Sequence, residues 1–453
     1  MEIKRYFRQI IIYTLAFTLP PLVISILAIA ISLANLMHSK PEFFSTEIGY
    51  PSYDRSKQTA VILVSNEGTE TTDLLVPYEI FSASDKFNVY TVAPERQISP
   101  LTSGGVDIIP DFSFAEFKQK IVARPDLIVI PAVHNWQDTA LNKWIIEHNN
   151  EQTTILSICE GARLLAATGL LSNLQATTHW LALNSLQKKY PDTEWVKDVK
   201  YIESGNIITT PGVITGAMYG SLYTLGKLAS KSVADAVAQK LNYPFTDSAE
   251  FESPRIELKD ALLILTASYH WHKHNIGVFL SDGIDEINLT AVLDIYPRSL
   301  AAKTISLAPE RKIVHSQYGL NLVPRFDFGT ITKLDRLLVL DNKPHLNLKN
   351  WASNKSNLEP EYLSSFSQDS DHFVFDNALQ DLALQENKPL TQIVAKTIEY
   401  PLNYVDLEGK SFPLWLLLKP LAIALIGLTT TIIMVPVLQL FAGNSITNKK
   451  ISE

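Results

Sequence analysis

The chain has 453 residues, of which 46 % are hydrophobic and 19 % charged; this excludes a largely disordered protein and leaves room for about three domains at roughly 150 residues each. Its formal net charge is −8, from 39 Lys and Arg against 47 Asp and Glu, which excludes a broad nucleic-acid footprint because phosphate binding needs clustered cations. A single cysteine excludes an intramolecular disulfide and a Cys-based zinc cluster.

Ile10 to Met37 is 28 residues without a charge, more than the roughly 20 that a spanning helix needs. Lys4, Arg5 and Arg8 precede it, as basic residues also precede a secretory signal. The apolar core of a signal is shorter, about 7–15 residues, so residues 1–40 read as an uncleaved anchor, kinked at Pro20-Pro21, with a signal cleaved near the Ser32-Leu33-Ala34 triplet as the alternative.

Thr59 to Val64 is a short continuous apolar run, the pattern of a strand buried on both faces. A helix is expected over Asp73 to Ser84, then strands at Val89–Val92, Asp126–Ile130 and Thr154–Ile158, the last running straight into a helix over Gly161–Ala167. Strands alternating with helices imply an α/β fold with a parallel sheet covered on both faces, here over residues 58–245. A strand that turns within two residues into a helix places Cys159 at the helix N-terminus. Orphan amides and the helix dipole there favour a thiolate and could hold an oxyanion, as in a nucleophile elbow with Cys in place of Ser. A buried, inert thiol is the alternative on spacing alone.

Residues 246–274 read as a linker and helix. His270, His272 and His274 alternate within it; extended, they would face one side and suit zinc or copper, but a solvated linker is the simpler reading and no metal site is assigned. No Gly-rich phosphate loop is present, and no cofactor is called for.

From residue 275 the earlier pattern returns. A shift of 215 places Ala60–Gln97 over Asn275–Lys312 with eight of 38 pairs identical, four of them consecutive in Ala93-Pro-Glu-Arg96 and Ala308-Pro-Glu-Arg311. Leu241-Asn-Tyr-Pro244 resembles Ile398-Glu-Tyr-Pro401. Asp126 to Tyr243 is 117 positions, whereas Asp335 to Tyr400 is 65. Residues 275–405 therefore read as a shortened second copy without the segment that carries Cys159. Lys343 to Asp371 reads as an irregular connection.

Pro420 to Gly443 is a second uncharged run, and residues 411–445 read as a second transmembrane helix with Lys419 snorkelling at its end. Lys449 and Lys450 follow it. With Lys4, Arg5 and Arg8 outside the first span and only Lys40 close on its other side, the positive-inside bias puts both termini in the cytoplasm and the body outside. The lipid bilayer is thus an expected partner.

Four segments resemble the ThiJ/PfpI superfamily, which has a class I glutamine amidotransferase-like fold. They are Asp73-Leu-Leu-Val-Pro-Tyr-Glu-Ile-Phe81, Ser157-Ile-Cys-Glu-Gly-Ala-Arg-Leu-Leu165, Gly169-Leu-Leu followed by Ala176-Thr-Thr-His-Trp180, and Gly205-Asn-Ile-Ile-Thr-Thr-Pro-Gly-Val-Ile-Thr-Gly216. The likeness is greatest to the sensor domains of AraC-type regulators and to isonitrile hydratases. It implies a flavodoxin-like three-layer sandwich, often dimeric, with Cys159 at the elbow. It further implies that Asp73 hydrogen-bonds the Cys159 sulfur and that His179 lines the same pocket; Asp73 as a helix cap and His179 as a structural residue are the plainer alternatives. The backbone around Glu160, Gly161 and Ala132 would supply the oxyanion site. The second copy has Asn288 where the first has Asp73. Two features depart from the family. Pro131-Ala-Val-His134 stands where many relatives have Pro-Gly-Gly, and no helix-turn-helix follows Pro244.

The resulting expectation is a membrane-anchored module that binds an unknown small molecule or partner near Cys159, as a homodimer or with its second copy packed as an internal pseudo-dimer. The alternative is a cysteine-dependent hydrolase or hydratase in which Cys159 attacks and Asp73 handles the proton.

Overall fold

The computed structural model describes residues 2–37, 48–121, 123–246, 251–331, 333–341, 345–356, 358–362, 372–402, 406–412 and 414–449. Lys40, Lys450 and parts of the Lys343–Asp371 connection lie outside the described residues.

The first lobe is built on a seven-stranded sheet. Its order is Ile202–Ser204, Ile207–Thr209, Thr154–Ser157, Leu127–Ile130, Gln58–Leu63, Phe87–Ala93 and Phe112–Ser113. All neighbours are parallel except the Ile202–Ser204 hairpin at one edge. Alternate strand residues enter two separate cores, as the period of two dictates. Ala60, Ile62, Leu127, Val129 and Leu156 meet Leu74, Ile214 and Leu222 on one face. Val61, Leu63, Ile128, Ile130 and Ile155 meet Phe117, Trp144 and Leu164 on the other. The result is a three-layer α/β sandwich.

The second lobe carries a five-stranded parallel sheet in the order Phe326–Asp327, Ala302–Ala308, His274–Phe279, Arg336–Val339 and Glu361–Tyr362. Its elements sit at constant offsets from those of the first. Helix Thr71–Ala83 has a 13-residue counterpart at Glu286–Arg298, starting 286 − 71 = 215 positions later. Helix Lys231–Lys240 has one at Lys388–Thr397, 388 − 231 = 157 positions later. Left-handed backbone recurs at the same spacings, in Asp85 and Leu300 and in Asn242 and Glu399.

The lobes share one hydrophobic core. Strand Val106–Ile109 pairs antiparallel with Asn321–Pro324 across the junction, and Arg325 bonds Asp107 at 2.8 Å. Helices Thr71–Ala83 and Glu286–Arg298 face each other reciprocally. The Ile287 N–H donates to Glu79 at 2.7 Å, and the Thr72 hydroxyl donates to Asp294 at 3.0 Å. Residues 72 and 287, like 79 and 294, are 215 apart, so each lobe offers the same pair of positions to the other.

Two terminal helices, Glu2–Met37 and Leu418–Lys449, pack together. Each has a stretch, Tyr6–Ile31 and Leu418–Val437, long and apolar enough to cross a membrane. A Cβ at Gly427 would stand 2.4 Å from the Ala16 carbonyl, so glycine is what permits this close crossing. Pro20 and Pro21 lie inside the continuous first helix.

Candidate functional site

Cys159 occupies the turn between strand Thr154–Ser157 and helix Gly161–Ala167 with φ +57. A non-glycine residue in the left-handed region costs of order 1–3 kcal/mol and persists only when its surroundings hold it there. The Cys159 N–H donates to the Pro211 carbonyl at 3.0 Å, and the Thr178 hydroxyl donates to the Cys159 carbonyl at 2.9 Å. The cysteine itself is therefore the strained residue. Gly161 is needed for space: a Cβ there would lie 2.2 Å from the Ile130 carbonyl, where the helix start abuts the third strand.

The sulfur is enclosed, with Cys159 only 4 % exposed. Gly212 is wedged between it and His179, so that a Cβ at position 212 would fall 2.8 Å from Sγ and 2.3 Å from the His179 Cδ2. His179 heads helix Trp180–Lys189, and its Nε2 lies 3.2 Å from the carbonyl of Thr397 in the second lobe. Burial, reinforced by Arg298 and opposed by that carbonyl, holds the imidazole down to about 4. It is neutral at pH 7.

Asp73 is fully buried. Its N–H donates to Glu70 at 2.7 Å, and its Oδ2 accepts the Ala132 N–H at 3.0 Å. Its Oδ1 has no partner among the described residues. The hydrogen bond to sulfur that the resemblance implies is not among those formed, because the carboxylate is turned onto the Ala132 amide. The same bond occupies the Ala132 N–H, and the Gly161 N–H donates to the Ile158 carbonyl at 2.8 Å. Two of the three amide positions expected to hold an oxyanion are thus engaged. Glu160 pairs with Arg163 at 2.5 Å. Burial pushes Asp73 up to about 7, against the pull of the Ala132 amide.

The expectation of an acidified thiol is corrected. Burial pushes the Cys159 thiol well above its usual range, and Asp73, Glu160, Glu70 and Glu399 add to the effect. The helix it heads has seven residues, and its dipole does not offset four acidic neighbours in a water-poor site.

Three groups from the second lobe complete this wall, and sequence reasoning missed all three as well as Glu70 in the first lobe. Arg298 donates to Asp294 at 2.7 Å and to Glu70 at 3.1 Å, so that Glu70 bridges a second-lobe cation to the Asp73 amide. Glu399, at φ +52, accepts the Trp180 N–H at 3.2 Å. Its carbonyl accepts the Thr215 hydroxyl, and its carboxyl group is pushed up to about 8 by burial, against the Trp180 and Gly212 amides. Its Oε2 is buried without a partner among the described residues. The third is the Thr397 carbonyl against His179. A sequence signal existed for Glu399, which aligns with Asn242 in the Tyr-Pro segments. None existed for Arg298, whose counterpart is Ala83.

Among the described residues no group of three His, Cys, Asp or Glu is placed to hold a metal ion. His270 turns its Nδ1 to the Ala267 carbonyl at 3.1 Å, while His274 lies 3.8 Å from Glu386.

Residues 58–223 match the model of the DJ-1/PfpI family. An isonitrile hydratase from Pseudomonas putida is 25 % identical over 198 residues, which cover 42 % of this chain and 82 % of the relative. Among solved structures, a cysteine-to-alanine mutant of a DJ-1 superfamily protein from Salmonella typhimurium has a TM-score of 0.37 at 22 % identity, covering 42 % of this chain and 100 % of that one. DJ-1 of Schizosaccharomyces pombe has a TM-score of 0.36 at 21 % identity, covering 41 % and 100 %.

Proposed function

We propose, for a chain that belongs to the DJ-1/PfpI family through residues 58–223, that it is a membrane-anchored sensory or regulatory module in which the second lobe stands in for a partner subunit and closes the Cys159 site. One observation carries this reading: the wall around the thiol is built partly from Arg298, Thr397 and Glu399 of the other lobe. Matched element offsets and reciprocal helix contacts support an internal duplication folded as a pseudo-dimer. A small molecule or partner that binds at this seam changes the access and protonation of Cys159, and the paired helices Glu2–Met37 and Leu418–Lys449 keep the module at the bilayer.

Thiol labelling of the full chain in detergent tests this. Iodoacetamide is expected to react slowly at pH 6 and at pH 7, and faster once the seam is loosened by Thr215→Ala, which removes the hydroxyl bond to the Glu399 carbonyl. Rapid labelling of the unaltered chain near pH 6 overturns the closed-site reading.

A second reading has its own support. Strain at a strand-to-helix cysteine is characteristic of functional turns, and an acid that titrates near neutrality suits proton transfer. In this reading Cys159 adds to an electrophilic carbon, Asp73 supplies the proton, and water then displaces the sulfur. Hydration of an isonitrile, the reaction for which the Pseudomonas putida relative is named, is the substrate class to test. Turnover that vanishes in Cys159→Ala establishes it; equal background with both chains rejects it.

A further inference from the structure

Helix Leu258–Ala267 carries apolar residues on two opposite sides. On the inner side Asp260, Thr266 and Ala267 are buried. Asp260 holds Lys396 at 2.6 Å, one residue before the Thr397 carbonyl that faces His179, so the helix is fixed to the second lobe at the seam. The other side faces outward. Leu258 is 79 % exposed and Leu262 54 %, with Ala261 exposed between them and Leu265 half-buried. Positions 258, 261, 262 and 265 follow the i, i+3, i+4, i+7 spacing of one helix face. This is a continuous stripe, unlike the singly scattered apolar residues of an ordinary surface.

The neighbours of the stripe show what covers it. The helix packs against the first terminal helix and against the turn Leu414–Leu417 that leads into the second. Just past it, the Tyr269 hydroxyl donates to the Pro21 carbonyl at 2.7 Å. The apolar stretch of the first terminal helix runs on to Ile31, a further 31 − 21 = 10 residues or about 15 Å. Ile26, Leu27 and Ile31 in that extension are 56 %, 55 % and 60 % exposed. Lipid that covers the extension reaches the adjoining face of the body. Two exposed indoles mark the boundary. The Lys419 ammonium lies 5.3 Å from the Trp271 ring centroid and 5.7 Å from that of Trp415, and tryptophan beside a snorkelling lysine belongs at headgroup depth.

We propose that helix Leu258–Ala267 seats its outward stripe in the headgroup–acyl boundary of the bilayer, so that the body lies against the membrane through a third element beside the two spanning helices. A helix with one face on protein and an apolar face outward suits that boundary. Its continuity with the two apolar helices favours lipid over a second copy of the chain. The inference rests on the anchoring reading but not on the chemistry of Cys159.

The experiment uses the full chain in phosphatidylcholine–phosphatidylglycerol vesicles, with Cys159→Ala as background and a nitroxide attached in turn through Leu262→Cys, Glu151→Cys and Leu15→Cys. Glu151 is exposed on the first lobe, and Leu15 lies within the first apolar stretch. Power-saturation EPR compares collisions with oxygen and with an aqueous nickel chelate. The Leu262→Cys label is expected about 5–10 Å below the headgroup boundary, with an oxygen-to-nickel ratio several-fold above that of Glu151→Cys. Melting temperature identifies a label that disrupts the fold, in which case Ala261→Cys replaces Leu262→Cys. A ratio at Leu262→Cys equal to that of Glu151→Cys, with Leu15→Cys in lipid, overturns the inference and leaves the anchoring reading standing. Spin–spin broadening at Leu262→Cys assigns the stripe to a second copy and also overturns it. Aqueous readings at both Leu262→Cys and Leu15→Cys overturn the anchoring reading itself.

Discussion

The Glu399 carboxylate of the second lobe accepts the Trp180 N–H of the first at 3.2 Å, one residue beyond His179 in the wall of the cysteine site. This contact sets a pH dependence. Glu399 is pushed from 4.5 up to about 8 by burial, so between these values the folded state holds a proton that the unfolded chain has released. Its contribution to stability is full below pH 4.5 and is lost as pH rises through 8. Asp73 and Glu286, each pushed up to about 7, act in the same direction. Glu399→Gln keeps an acceptor for the Trp180 amide without that proton linkage. It is expected to be more stable than the parent by about 1–3 kcal/mol at pH 8 and to flatten the decline of melting temperature between pH 5 and 9. An unchanged slope would show that Glu399 does not titrate there.

Asp73→Asn separates the two readings of the site. Asp73 is the leading acidic contributor to the raised thiol pKa, after burial, and its removal lowers that pKa. Alkylation of Cys159 at pH 8 is then expected to quicken by about three- to tenfold. Turnover of any hydrated substrate would fall by about 10²-fold or more, because the proton donor is gone. Faster labelling alone supports a binding site; faster labelling with lost turnover supports catalysis. No change in labelling would mean that the acid and the sulfur do not sense each other.

What was legible in the sequence was local. Alternating apolar runs gave the parallel sheet, and one strand-to-helix junction gave the position of Cys159. The 215-residue shift anticipated helix Glu286–Arg298, whose ends match those of Thr71–Ala83. What was not legible lay between elements far apart in the chain. Trp180 and Glu399 are 219 residues apart, and Glu70 and Arg298 are 228 apart. The direction of the thiol shift depended on those contacts, since an isolated helix terminus favours a thiolate and only the assembled acids reverse it. Glu399 did leave a trace. It occupies left-handed backbone at φ +52, as does Asn242 at the matching turn. Asparagine adopts that conformation readily and glutamate does not, so a glutamate retained there points to a task for its side chain.

Gly212 is expected to tolerate no side chain. A methyl group there meets the His179 ring and the Cys159 sulfur at once, both inside van der Waals distance. Gly212→Ala should destabilise the chain by about 1–3 kcal/mol through overpacking and expose the thiol to Ellman's reagent under native conditions. Gly49→Ala is the control, since nothing lies within 4 Å of its Cβ position. Equal labelling of the two variants would mean that Gly212 does not seal the sulfur.

Arg298 joins the lobes by charge rather than by packing. It donates to Asp294 at 2.7 Å and to Glu70 at 3.1 Å, and both acids are screened from water. Arg298→Met keeps much of the apolar stem but leaves two buried acids without their cation, which is expected to cost about 3–5 kcal/mol at pH 7. Protonation of Glu70, which burial pushes well above the usual carboxyl range, relieves part of the penalty, so the gap from the parent chain should narrow as pH falls from 7 to 5, where a lost packing contact would leave it constant. The triple substitution Arg298→Met/Asp294→Asn/Glu70→Gln removes the charge problem altogether. Urea unfolding of all three chains at both pH values decides the matter. Recovery of more than half of the loss in the triple variant is the result expected of a seam held by charge, and equal loss in both variants would assign Arg298 a packing role instead.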